Sequence, residues 1–342
     1  MSVSAAPSLL RRGPHRALGW TGAMLALFCV AALLSVTFGA RDVGWSEVVS
    51  ALLGEIGTIG EAAVASRLPR TVMAALAGAA LGLSGAAMQG LTRNPLADPG
   101  ILGVNAGAAL AVVIGLAWFG LDSAQAYIWT AILGAAVAAL AVYTIASLGH
   151  GGATPLKLAL AGAATTAALS SLTTAVVLPR GDISGLVMSW MVGGVGGATW
   201  DQITPVVPFL LTGLIITLAS ARKLNLLALG DEAAAGLGER VVLARILAAS
   251  GAVLLCGATT AICGPIGFVG LVVPHLCRLL VGVDYRWILP VSALSGAVLL
   301  LFADVLGRLV SRPSELDVGI VTAFVGAPVF IWIVRRRKVS TL

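Results

Sequence analysis

Apolar residues in this chain come in long runs separated by short polar clusters. The runs are too long for strands and too uniformly apolar for helices with a solvated face. Windows at 17–38, 67–89, 99–119, 124–148, 156–178, 202–221, 240–262, 265–280, 286–309 and 316–334 each predict a helix able to cross a bilayer. The second window is the clearest. Thr71 to Met88 holds 18 residues without a charge, roughly 27 Å at about 1.5 Å rise per residue, close to the thickness of a bilayer's hydrocarbon core. It ends in a polar, proline-punctuated turn, Gln89 to Gly100, and a new apolar run starts at Ile101. The eighth window is short, and Gly264-Pro265 at its head predicts a helix that begins inside the membrane. Such a break is tolerated where protein or a cavity surrounds it.

Two further stretches predict short helices that do not span. Residues 40–66 carry Val48, Val49, Leu52, Leu53 and Ile56 among acids, which suits an amphipathic helix on the membrane surface. Residues 181–197 have an apolar centre, Leu186 to Val192, of re-entrant or interfacial length, and Trp190 and Trp200 suit an interfacial aromatic belt. The fold class is therefore all-α polytopic membrane protein, with about ten transmembrane helices and short re-entrant or interfacial ones. The whole of 1–342 reads as one transmembrane domain.

Composition agrees. Hydrophobic residues make up 58% of the chain, charged ones 11%, and mean hydropathy is +1.01; a soluble domain carries about 25% charged residues. The four cysteines, Cys29, Cys256, Cys263 and Cys277, all fall in apolar windows at spacings that fit neither a zinc site nor a disulfide framework. They read as small packing residues.

Lysines and arginines set the orientation. With both termini on one side, that side receives fourteen, from Arg11, Arg12 and Arg16 to the run Arg335–Lys338, and the other receives six: Arg41, Arg67, Arg70, Arg180, Arg308 and Arg312. Arg245 is left inside a window. This bias predicts cytoplasmic termini, with an N-terminal tail at 1–16, a large loop at 222–240 and a C-terminal tail at 335–342 all on the cytoplasmic side. The formal charge of +6 then reflects membrane topology, and no nucleic-acid partner is expected. The first apolar run follows three arginines as in a signal peptide. It is over 20 residues long and ends in Ser35-Val36-Thr37-Phe38-Gly39, a poor cleavage site, so it reads as a retained span.

Arg67 and Arg70 stand three residues apart at the head of the second span, where they are expected to point outward, either snorkelling to headgroups or meeting an acidic partner. Gly78 with Gly82, and Gly103 with Gly107, form small-xxx-small faces for close helix packing. Asn94 and Asp98, each before a proline, favour a turn. In Arg222–Arg240 two short helical pieces are expected around Gly230, the second opened by Asp231 and Glu232, since acids favour a helix N-terminus. Asp304 and Arg308 are an i,i+4 pair in the ninth window.

The segments RLPR at 67–70, SGAAMQG at 84–90 and RNPLADPGILGVNAG at 93–107 resemble the FecCD-type permeases, the membrane subunits of ABC importers for iron-siderophores, haem and cobalamin. CGPIGFVGLVVPHLCRLL at 263–280 and GAPVFIWIVRRR at 326–337 resemble the same family, and the matches run in order over nearly the whole chain. The resemblance implies a homodimeric type II ABC importer permease architecture, a related heterodimer being the alternative. It implies two ABC ATPase subunits, an extracytoplasmic substrate-binding protein and a bacterial plasma (inner) membrane. Arg67, Arg70 and Arg308 match the family's outer-face arginines that receive carboxylates of the binding protein. Asn94 and Leu96 match one strand of the inner gate, and Pro155 and Leu156 the other, where family members often carry Ser or Thr. Gly230, Asp231, Glu232, Ala233, Ala234, Ala235, Gly236 and Leu237 match the coupling helices, which present small residues to the ATPase. Gly103–Gly107 looks closer to siderophore permeases than to haem or cobalamin ones.

No phosphate-binding G-x-x-x-x-G-K-[ST] occurs in the chain. ATP and its Mg²⁺ would belong to the partner ATPase; no catalytic residue, metal or cofactor is expected here. Two readings from other classes compete. An ion-coupled secondary transporter would need buried ionisable groups along its path. A rhomboid-type protease would use Ser84 of Gly82-Leu83-Ser84-Gly85 with His275 as base, a four-residue match in a glycine-rich chain.

Overall fold

The computed structural model describes residues 14–148 and 154–336. Most of the expected N-terminal tail (1–16) and of the C-terminal tail (335–342) lies outside the described residues. Within them the chain forms α1 (Pro14–Thr37), α2 (Trp45–Leu52), α3 (Ile59–Thr92), a 3-10 turn (Pro99–Leu102), α4 (Val104–Phe119), α5 (Ala124–Ser147), α6 (Pro155–Val177) and α7 (Gly181–Val192). It continues as α8 (Trp200–Ala219), α9 (Ala221–Leu227), α10 (Asp231–Gly236), α11 (Val241–Cys263), α12 (Val269–Val281), α13 (Tyr285–Val310) and α14 (Val318–Arg336). Seven of these are long and apolar enough to cross a membrane: α1, α3, α5, α6, α8, α11 and α13. Three shorter apolar helices, α4, α12 and α14, occupy the remaining expected spans. The short helices α2, α7, α9 and α10 fall where sequence alone placed non-spanning pieces.

Helix α3 is the centre. Of its most apolar window 78% is buried, against 11% for α1, and it packs on α13, α11 and α12. Glycine makes this possible. A Cβ at Gly78 would lie 2.3 Å from the Gly296 carbonyl oxygen, and one at Gly82 would lie 2.2 Å from that of Ser292. The backbones of α3 and α13 touch, as a small-xxx-small face requires where lipid offers no hydrophobic drive between helices. Ser84 sits inside this packing, fully buried, with its hydroxyl donating to the Leu81 carbonyl 3.0 Å away. It is a packing residue and no exposed nucleophile.

Helix α3 also begins earlier than the hydrophobic pattern suggests. Thr58 caps it by accepting from the Glu61 N–H, and Glu61 returns a carboxylate to the Thr58 N–H at 2.8 Å, a reciprocal capping box that starts the helix in polar sequence. Arg67 and Arg70 therefore lie in its third and fourth turns rather than its first. Helix α12 starts only at Val269, after the non-helical Gly264–Phe268 stretch, so the break expected at Gly264-Pro265 is present and the helix begins four residues beyond the predicted window. Trp190 departs from the expected belt. Its ring is half-buried and its Nε1–H donates to the Ala261 carbonyl at 3.4 Å, binding α7 to α11, whereas Trp200 is exposed.

Side-chain ties settle which ends share a face. Arg308, near the end of α13, bonds carbonyls at the end of α1, so both helices finish on one face, and α14 runs back from it. Asn225 of α9 donates to Asp284 at 2.6 Å and accepts the Tyr285 N–H at 2.9 Å, placing α9 at the start of α13. The start of α1, the end of α14 and the α9–α10 segment therefore share one face, here the termini face. The ends of α1 and α13 define the distal face.

Candidate functional site

On the distal face, α1 ends at Thr37 with carbonyls that no helical N–H can reach. Arg67 donates to Val36 (3.2 Å), Thr37 (2.7 Å) and Arg41 (2.6 Å) carbonyls. Arg308 donates to the Ser35 and Phe38 carbonyls at 3.0 and 2.9 Å and to the Ser35 hydroxyl at 3.0 Å. Two guanidiniums thus cap one helix C-terminus, where the negative end of the helix dipole favours cations. Asp304, wholly buried, sits between Arg308 (2.8 Å) and Arg70 (2.8 Å), and Arg70 also pairs with Glu315. Arg312 bonds Asp42 at 2.9 Å and the Gly39 carbonyl at 2.6 Å.

The expected outward-pointing arginines are therefore corrected. Arg67 is 6% exposed and Arg308 2%, and all three guanidiniums are engaged within the chain. Sequence distance hid the reason: the partners of Arg67 and Arg308 lie at and just after the end of α1, and those of Arg70 in α13 and the α13–α14 connection, up to 273 residues away. The Asp304–Arg308 pair is formed as expected, but Asp304 also holds Arg70. Above the cluster a cavity of about 410 Å³ opens, lined by Arg67, Arg70, Arg308, Glu315, Gly39–Arg41, Ala63, Ser66 and 197–199.

On the termini face, α9 and α10 form the expected pair around Gly230, whose φ of +105 lies where L side chains are strained. Asp231 opens α10 and is held by Arg93 and by Arg245, the latter at 2.9 Å. Lys223 and Glu239 close the segment at 2.9 Å. Glu232, Ala233, Ala235, Gly236 and Leu237 are exposed, while Ala234 is fully buried. Ala234 is thus corrected from a presented residue to the packed underside of α10.

Asn94 and Leu96 sit in the turn after α3. The Asn94 Oδ1 accepts the Leu96 N–H at 2.9 Å, which fixes the turn, and Leu96 is exposed. Leu156 is exposed at the head of α6. Pro155 is the first residue of α6; its side chain lies outside the described residues. Asn105, central to the Gly103–Gly107 stretch, turns its amide oxygen to α11, accepting from Thr260 at 3.0 Å and Cys256 at 3.3 Å. That residue binds helices together.

Sequence reasoning passed over one cluster. Gln89 donates to the Gly270 and Leu271 carbonyls at 3.2 and 3.1 Å at the head of α12, and accepts from Arg278 at 2.6 Å. Arg278 lies 6.0 Å from the Tyr285 ring centroid. A polar residue at the end of an apolar run reads as an interface residue; its partners 181 residues away left no local trace beyond the Gln itself.

A bundle of ten apolar helices with a fixed polar platform on one face is what a membrane transporter subunit needs. The FecCD transport family model matches residues 27–336. The chain belongs to the FecCD transport family. The ferric enterobactin transport system permease protein FepD of Escherichia coli is 45% identical over 316 residues, covering 92% of this chain and 94% of that protein. The probable siderophore transport system permease protein YfiZ of Bacillus subtilis is 41% identical, covering 92% and 94%. The hemin transport system permease protein HmuU of Yersinia pestis is 38% identical, covering 93% and 95%. Among solved structures, a metal-chelate type ABC transporter in an inward-facing conformation matches with a TM-score of 0.79 at 26% identity, covering 94% of this chain and all of that one. The FecCD chain described here is thus a multi-pass ABC transporter permease, a transport subunit.

Proposed function

We propose that this FecCD chain forms, with a second permease subunit, the pore of a binding-protein-dependent importer of ferric siderophores. The supporting observation is the family match over 27–336 together with relatives whose names cite siderophores, enterobactin and hemin. The termini face is cytoplasmic, following the lysine and arginine bias. There α10 presents Ala233, Ala235, Gly236 and Leu237 as an exposed small-residue platform, to which two ATPase subunits dock; they hydrolyse ATP with Mg²⁺, and this chain binds no cofactor. Asn94, Leu96, Pro155 and Leu156 gate the pore beside it. A homodimer is favoured by α6, whose outer face of Ala163, Ala164, Ala167, Ser170 and Ser171 is exposed in the single chain, small and polar enough to line a path.

On the distal face the binding protein covers the cavity over Arg67, Arg70 and Arg308. These arginines are committed to the fold, so their contribution to docking is the positive potential they lend the cavity floor. Haem is the second reading, supported by the hemin permease relative. Reconstitution of this chain with its ATPase and binding protein in liposomes tests both. ATP-dependent uptake of a ferric siderophore is expected, and uptake of haem in preference to it would replace the substrate assignment. ATP hydrolysis by the chain without a partner would overturn the permease role.

A further inference from the structure

Between α5 and α11, under the last turn of α3, a cavity of about 270 Å³ opens on the termini face. Its walls are Met88, Leu91, Leu102, Leu140, Ile246 and Val253, with Ala249 and Ser250 behind. Leu140 (67%) and Ile246 (55%) are exposed, so the opening lies on the apolar outer surface of the bundle. Two guanidiniums, Arg93 and Arg245, complete the lining. Arg93 follows α3 in left-handed conformation, φ 51, and Arg245 stands one turn inside α11. An ionisable residue within a span marks a functional site, and the pairing with Asp231 uses only one edge of this guanidinium.

The charges do not balance. Both arginines share the single carboxylate of Asp231, while Glu239 is taken by Lys223. The Arg245 Nε–H is buried and has no hydrogen-bond partner. An excess positive charge therefore stands at one end of an apolar slot on the outer surface of the bundle. The slot runs from Arg245 to Val253 along α11, eight residues or about 12 Å, long enough for part of an acyl chain.

We propose that this slot binds one anionic phospholipid of the termini-face leaflet, its phosphodiester between Arg93 and Arg245 and an acyl chain along α5 and α11. One phosphodiester charge neutralises the two-arginine, one-aspartate cluster, and its oxygens accept charge-assisted bonds from the exposed edges of the Arg93 and Arg245 guanidiniums. The lipid ties Asp231, and through it the head of α10, to the bilayer. Lipid binding itself does not require that α10 meet an ATPase. Soluble phosphate would use only the charged end and leave the apolar walls unfilled.

Native mass spectrometry of the full chain, released from detergent, decides the matter with phosphatidylglycerol, phosphatidylcholine and inorganic phosphate as probes. One phosphatidylglycerol per chain should be retained at least tenfold better than phosphatidylcholine. Arg245→Gln should reduce retention about tenfold. Ala249→Trp, which fills the slot without touching the charges, should do the same. Equal retention of the two lipids means ordinary boundary lipid and overturns the proposal. So does unchanged phosphatidylglycerol retention in Ala249→Trp, or its displacement by millimolar inorganic phosphate, since either shows a headgroup site alone. If Arg245→Gln does not fold, Ala249→Trp and Ser250→Phe carry the test, because neither side chain enters the ion pairs.

Discussion

The distal arginine cluster and the α9–α10 platform are both charged, both at helix ends, and built in opposite ways. On the distal face Arg67 and Arg308 are buried, Arg70 is largely so, and all three turn inward, each bonded to a carbonyl or a carboxylate of another element. On the termini face the acids and bases pin the two ends of the α10 segment, through Asp231 and Glu239, and Ala234 packs underneath, while Glu232, Ala233, Ala235 and Gly236 stay exposed. One region uses charge to lock three helices together. The other uses charge to hold a short helix and its exposed small-residue surface in place. Charge at a membrane protein's rim can thus be structural or presentational, and burial tells which.

Breaking the lock should have the largest effect. Asp304→Asn leaves Arg70 and Arg308 buried without their shared carboxylate, a loss on the order of 3–5 kcal/mol when one member of a buried ion pair is removed. A large drop in the thermal midpoint of the detergent-purified chain checks this; an unchanged midpoint would show that the cluster is not structural. Reversing Arg67 and Arg70 together to Glu belongs with it. The expected outcome is failure to fold, read by size-exclusion profile, rather than a folded chain that merely associates slowly with a binding protein. Arg67→Gln is milder: the α1 terminal carbonyls lose charge-assisted donors, about 1.5–3 kcal/mol, again read as a lower midpoint.

The platform should behave in the reverse way. Gly236→Trp adds bulk where a Cβ would meet nothing within 4 Å, so stability should change by no more than about 0.5 kcal/mol. ATP-driven uptake in liposomes should fall at least tenfold while the ATPase subunits still hydrolyse ATP. Normal uptake would remove α10 from the coupling path. The smallest effect is expected at Arg180, whose pairing with Asp182 at 3.0 Å is exposed. The Asp182 carboxyl is held below its ordinary range chiefly by the Arg180 hydrogen bonds. Arg180→Gln should raise it toward 3.8 with a change in thermal midpoint near the limit of detection, because exposed pairs contribute about 0–1 kcal/mol.

Much of the molecule was legible in order along the chain. Apolar run length fixed the spans, because a backbone in lipid must satisfy its own hydrogen bonds and a helix long enough to cross announces itself locally. Gly264-Pro265 announced the late start of α12, and Gly230 the break between α9 and α10, since both act on the backbone where they stand. Asp304 and Arg308, four residues apart, were legible for the same reason. What could not be read was anything whose partner is distant in sequence. Arg67 looks identical in the sequence whether it faces water, headgroups or the carbonyls of α1. Only packing α1 against α3 and α13 turned it inward. Ala234 and Ala233 are chemically alike, and which one faces the protein was decided by how α10 seats on its neighbours. Gln89 gave no hint of Gly270 or Arg278. Local backbone chemistry and hydrophobic length belong to the sequence because they act over a few residues. The direction of a charged side chain belongs to the tertiary structure, because burial and a partner fix it, and both arrive from elsewhere in the chain.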